Sequence, residues 1–142
     1  MSTQVDINTV MAQIEVLRQR LAGLDVLIAE AEAALKSVDT ALKTLDAAEK
    51  GGEVLVPGDP GFNVIIKARI EDAGKTLLHV GGGIFAKVDV DKAREKLLER
   101  LESLGKTLSQ LRREREATLQ ELAQLEYIIQ LALASQQAPP KK

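Results

Sequence analysis

The stretch INTVMAQIEVLRQRLAGLDVLIAEAEAALKSVDTALKTL, residues 7–45, decides the fold. Alternate steps of three and four from its first residue meet Ile7, Val10, Ile14, Leu17, Leu21, Leu24, Ile28, Ala31, Leu35, Val38, Leu42 and Leu45, and all twelve are apolar. At 45% apolar composition, chance fills such a frame roughly once in ten thousand trials. A repeat averaging 3.5 residues keeps one stripe on a partner helix when the pair supercoils left-handed. Glu15, Arg18, Arg20, Asp25, Glu30, Glu32, Lys36, Asp39, Lys43 and Asp46 lie between and read as a solvated exterior. Asp6 or Asn8 offers a cap at the start, and Gly51 with Gly52 stops the helix. The predicted helix covers 5–50, a rod of about 65 Å.

A second rod is predicted over 89–135, with Asp89 or Asp91 as N-cap. Its seam runs Leu97, Leu101, Leu104, Leu108, Leu111, then Leu122, Leu125, Ile129 and Ala132. The frame crosses Arg115 and Thr118 between these blocks, either as a polar interruption or as a local shift onto Leu119. Residues 136–142, with Pro139 and Pro140, read as a disordered tail. Between the rods, 53–88 changes character. Val54-Leu55-Val56, Phe62 to Ile70, Thr76 to Val80 and Ile84 to Val88 are four short runs separated by Gly, Pro and Asp, which implies two β-hairpins. Rods of similar length joined by so short a connector run antiparallel and pair with each other. The expected fold is therefore α+β: a long antiparallel two-helix coiled coil with two hairpins between the helices. A lone hairpin is barely stable in water, so this section is expected to pair edge to edge with other subunits.

Composition narrows the function. Aromatics are only 2%, which suits a thin aliphatic seam better than a rounded core. Cysteine is absent and His79 is the single histidine, which excludes disulfides, thiolate catalysis, and Cys- or His-rich metal sites. A net charge of -2 with mixed signs gives no nucleic-acid footprint. No apolar run reaches membrane-span length, and Met1 to Thr9 lack the pattern of a signal peptide, so a soluble, cytoplasmic protein is expected.

The order of parts resembles the prefoldin family, and within it the α-type subunit. The resemblance rests on Val54-Leu55-Val56-Pro57-Gly58, Ile65-Ile66-Lys67-Ala68-Arg69-Ile70, His79-Val80-Gly81-Gly82-Gly83-Ile84 and Ala86-Lys87-Val88 leading into Asp89 and Asp91. The β type has one hairpin, so four strand runs point to α. Gly58-Asp59-Pro60-Gly61 departs from the family pattern, and its proline is expected to shift the turn. The resemblance implies a heterohexamer of two α and four β subunits, assembled through the hairpins. Val54, Leu55, Val56, Val64, Ile66, Leu78, Val80 and Ile84 are the assembly residues expected here. It also implies an ATP-independent holdase that needs no cofactor. Such a subunit grips non-native client proteins near the coiled-coil tips and delivers them to a group II chaperonin. A structural or filament-forming prefoldin-like subunit without client transfer is the competing reading.

Several features imitate other functions. Gly74-Lys75-Thr76 ends like a phosphate-binding loop, but Arg69 stands where the earlier glycine belongs and a strand follows. Gly81-Gly82-Gly83 opens no helix. His79 lacks an oriented partner, so no catalytic cluster can be assembled and no enzyme is expected. Arg112-Arg113 with Arg115 is offset by Glu114 and Glu116 and reads as a solvated face. The helix ends are different. Val5, Ile7, Val10 and Met11 at one, with Tyr127, Ile128, Ile129, Leu131 and Leu133 at the other, exceed what one stripe can bury. Surplus apolar surface there marks a binding site or another helix packing on it. Val5, Ile7, Val10, Met11, Tyr127, Ile128, Leu131 and Leu133 are the candidate client-binding residues.

Overall fold

The computed structural model describes residues 6–137. Helix α1 is Ile7–Glu49, strands β1 to β4 are Gly52–Pro57, Ile65–Ile70, Lys75–Gly81 and Ile84–Asp89, and helix α2 is Val90–Gln137. All twelve positions of the α1 stripe are buried or half-buried, and so are Leu97 to Ala132 along the α2 frame. The coiled-coil periodicity therefore places the seam correctly. Thr118 resolves the interruption: it keeps the seam position, 2% exposed, while Leu119 stays beside it, half-buried. The Thr118 hydroxyl donates to the Glu114 carbonyl at 2.8 Å, which satisfies it inside the helix.

The chain forms two compact units. One combines α1 through Ala33 with α2 from Lys106; the other is Ala34–Gly105. In the first, Val10, Ile14, Leu17 and Leu122 form the core, flanked by Leu21, Leu125 and Ile129. Arg18 Nη2 meets Glu126 at 3.2 Å, Arg115 Nε meets Asp25 at 2.6 Å, and Arg112 Nη2 meets Glu32 at 2.9 Å. Two members of the basic cluster, Arg112 and Arg115, are thus paired across the helices, while Arg113 donates to the Ser109 hydroxyl on its own helix at 3.2 Å. Exposed pairs of this kind contribute at most about 1 kcal/mol each; their geometry fixes which positions face each other.

The second unit, the hub, holds both hairpins. β1 pairs antiparallel with β2 and β3 with β4, as two separate two-stranded sheets. Gly51 and Gly52 take positive φ and turn the chain out of α1. Leu45, Leu78, Val90, Ala93 and Leu97 form its core, with Val38, Ala41, Leu42 and Val88 packed around. Leu78 is therefore corrected from an assembly residue to a core residue. It stands on the face of β3 turned to the helices and is 8% exposed. The Val90 N–H donates to the Gly74 carbonyl at 3.0 Å, so the turn before β3 receives the start of α2. Both candidate cap carboxylates are held by basic side chains. Lys75 pairs with Asp89, and Arg94 reaches Asp91 at 3.2 Å. Arg94 also reaches Asp46 at 3.1 Å and Glu49 at 2.7 Å on α1.

Two boundaries differ from expectation. Gln136 and Gln137 are helical, because nothing breaks a helix before Pro139; residues 138–142 lie outside the described residues. Phe62 to Val64 belong to a loop, not to the second strand. Asp59, Pro60 and Gly61 make a turn ahead of them, with the Phe62 N–H on the Asp59 carbonyl at 3.1 Å.

Leu97 and Leu98 are neighbours with opposite environments, one in the hub core and one exposed. In chemical denaturation of the isolated chain, Leu97→Ala is expected to cost about 2–5 kcal/mol. Leu98→Ala should change stability by no more than about 0.5 kcal/mol.

Candidate functional site

The paired helix ends begin with a cap. The Asn8 and Thr9 N–H groups donate to Asp6 Oδ1 at 3.0 and 3.4 Å, and the Thr9 hydroxyl donates to Oδ2 at 2.7 Å. These bonds, the Thr9 hydroxyl first, hold the Asp6 carboxyl below its usual range. The cap orders the first turn of α1, and Val10 and Ile14 then pack with Leu122.

The sequence-predicted end residues divide. Met11, Tyr127, Leu131 and Leu133 are exposed. Ile7 and Ile128 are half-buried. Val10 is only 7% exposed and fills the seam, so it is corrected from the open surface to the core. Val5 lies outside the described residues. Heptad spacing places Met11 one repeat from Arg18, and Leu133 one repeat from Glu126, on the flank of that ion pair. Tyr127 and Leu131, four residues apart, share an outward face.

Beside Leu17 and Leu125 lies an open groove of about 430 Å³, lined also by Thr9, Ala12, Gln13, Val16 and Glu121. Val16 is 64% exposed and was missed from sequence. Its signal was a bulky β-branched residue one step off the seam, where the neighbouring positions are polar. Nothing in this groove is arranged for bond chemistry. Its surface is mostly apolar, and it suits reversible contact with other apolar groups.

The hub carries the second set. Leu55, Val56, Val64, Ile66, Val80 and Ile84 are exposed, and Val54 is half-buried. The register Val54↔Ala68 and Val56↔Ile66 lines four apolar side chains along one face. Ile65, Leu77 and Phe85 are also exposed; Ile65 shares the face of Leu55, while Leu77 lies on the face of β3 opposite Leu78 and Val80. His79 is a strand residue: its ring lies 5.1 Å from that of Phe85, and its carbonyl accepts from Arg100 Nη2 at 2.6 Å. Among the described residues, no group of three or more His, Cys, Asp or Glu is placed to hold a metal ion. No described helix is long and apolar enough to cross a membrane.

Two zipped helices with twin hairpins between them in sequence, and apolar surface left open, define a coiled-coil subunit with a β hub. A family model described as Prefoldin subunit matches residues 4–134. The chain belongs to the prefoldin family, and within it to the archaeal α type. It is 37% identical to prefoldin subunit alpha of Aeropyrum pernix over 106 residues, 74% of this chain and 70% of that one. It is 32% identical to prefoldin subunit alpha of Hyperthermus butylicus, covering 99% of this chain and 90% of that one. With the protein of the same description from Sulfurisphaera tokodaii it shares 29%, over 97% and 91% of the two chains. A chain of filamentous PFD from Methanocaldococcus jannaschii superposes only loosely, with a TM-score of 0.45 at 24% identity, covering 91% of this chain and 96% of that one. Members of the family form oligomers with other prefoldin subunits.

The Asp6 cap has a pH signature. Its folded pKa lies below the ordinary aspartate value of 3.8, so its contribution is present above that value and is lost as pH falls through the lowered one. The protection factors of the Asn8 and Thr9 amides, measured by NMR against intrinsic exchange at the same pH, are expected to fall in that window. Asp6→Ala should show the low protection at every pH.

Proposed function

We propose that this chain is the α subunit of a cytoplasmic, ATP-independent holdase, a heterohexamer of two α and four β-type subunits. It captures unfolded proteins at its paired helix ends and passes them to a group II chaperonin. The observation that carries this reading is the apolar surface those ends leave open. Met11, Val16, Tyr127, Leu131 and Leu133 are exposed on a helix pair whose seam is already filled.

One such surface binds weakly, at about 25 cal/mol per Å² of apolar area buried. Several, carried by the subunits of one assembly, reinforce each other through effective concentration. Met11 and the leucines repack around differing segments, so recognition needs no fixed shape. Capture and release are then equilibrium processes, and no nucleotide is required. Ile7 and Ile128, half-buried at the edge of the seam, contribute as the pair frays. The hub joins the subunits through Val54, Leu55, Val56, Val64, Ile66, Val80 and Ile84, whose strands offer unpaired edges and apolar faces.

Met11, Tyr127, Leu131 and Leu133 changed together to serine test this reading in the complex with a β-type subunit. The expected result is loss of most aggregation suppression toward a denatured model protein, with the mass of the complex unchanged. Undiminished protection contradicts the assignment of the helix ends. Open fibres in electron micrographs of the unaltered complex would favour the filament-forming alternative.

A further inference from the structure

The loop joining β1 to β2 is built more firmly than a solvent-exposed connection requires. Asp59 accepts four hydrogen bonds through its carboxylate: from the Gly61 N–H at 3.1 Å, the Asn63 N–H at 2.9 Å, the Asn63 side-chain amide at 2.7 Å and the Val64 N–H at 3.2 Å. The Gly58 N–H closes the loop on the Val64 carbonyl at 2.8 Å. The Asp59–Asn63 contact passes directly over Gly61, where an added Cβ would stand 3.0 Å from the Asn63 amide nitrogen and 3.1 Å from Asp59 Oδ2. These bonds, the Asn63 side chain first, hold the Asp59 carboxyl below its usual range.

What this frame holds is Phe62. It is the only described residue other than glycine with a positive φ, at 58°. A bulky side chain in the left-handed region is strained and persists only where its surroundings over-determine it. The strain gains little burial, because Phe62 is 65% exposed. A residue selected only for this turn would be glycine or asparagine. A phenylalanine here carries a large apolar ring on a backbone already fixed by the Asp59 hydrogen bonds, so the backbone cost of ordering is met before any partner arrives. The ring does not stand alone: Val64 beside it and Val56 and Ile66 on the adjoining strands are exposed too. The apolar face of the hairpin therefore continues into the loop.

We propose that Phe62 is a preset aromatic anchor by which the hub docks onto a β-type prefoldin subunit. This rests on the assembly reading above and names the residue within it that contributes most to holding the partner. Anchors of this type are aromatic, rigid before binding and surrounded by contacts of smaller effect. Asp59 is the positioning residue: it does not touch the partner and acts by fixing where Phe62 stands.

Phe62→Gly separates anchor from scaffold, since glycine accepts the positive φ without strain. The isolated variant is expected to keep its helicity and to melt no lower than the unaltered chain. Its complex with the β-type subunit, followed by mass photometry on dilution, should dissociate at roughly tenfold higher concentration or more. Asp59→Ala, which keeps the ring but frees the loop, should weaken the complex less. Phe62→Leu should fall between the unaltered chain and Phe62→Gly. If Phe62→Gly assembles as tightly as the unaltered chain, the anchor is refuted while the assembly reading stands. If the unaltered chain forms no complex with the β-type subunit, the assembly reading fails and the anchor with it.

Discussion

The rest of the structure depends on one constraint: an apolar stripe on α1 wide enough for one partner helix and no more. Leucine, isoleucine and valine at heptad spacing bury themselves against α2 and leave the other faces of both helices to water. The seam is aliphatic and nearly continuous, so it needs no aromatic core. The single polar side chain fully buried among the described residues, Thr118, is satisfied by its own helix. The ion pairs of Arg18 and Arg112 with acids on the opposite helix flank the seam, and that of Arg115 with Asp25 starts from a half-buried seam position. They add little energy and specify which residues oppose one another.

A stripe of that width cannot hide everything apolar in the chain. In the unit formed by the helix ends, Val16, Tyr127 and Leu131 point away from the seam and remain in water. In the hub, the helices take one face of β3–β4 through Leu78 and Val88. The apolar face of β1–β2 stays largely open, at Val56 and Ile66 above all. Both surfaces are apolar area that the described chain leaves in water, and such patches mark contact sites for other molecules.

Legibility from sequence followed how local the physics was. The helices, their seam and the two hairpins were readable, because a 3.5-residue stripe and short β-branched runs between Gly, Pro and Asp are local signals. The seam through Thr118 was ambiguous, because choosing between Thr118 and Leu119 needed the partner helix. Leu78 was misplaced for the same reason: it is an apolar residue in the right region, but only the packing shows that it faces inward. Val10 was legible as a seam residue from the repeat, and the error was to count it in the end surface as well. Val16 was overlooked because a strong stripe hides a bulky residue one step beyond it. The loop at Phe62 was read as strand because Phe-Asn-Val-Ile-Ile has β composition. The Asp59 side chain, gathering four donors, overrides that preference, and no propensity scale contains such a bond network.

All of this requires that α1 and α2 zip against each other within one molecule. The chain has no cysteine, so Arg18→Cys and Glu126→Cys can be introduced at the 3.2 Å ion pair and joined with a short bifunctional maleimide at high dilution. Efficient linkage that leaves a single-chain mass is the expected result. Linkage found only between two chains, or none at all, would contradict the intramolecular pairing.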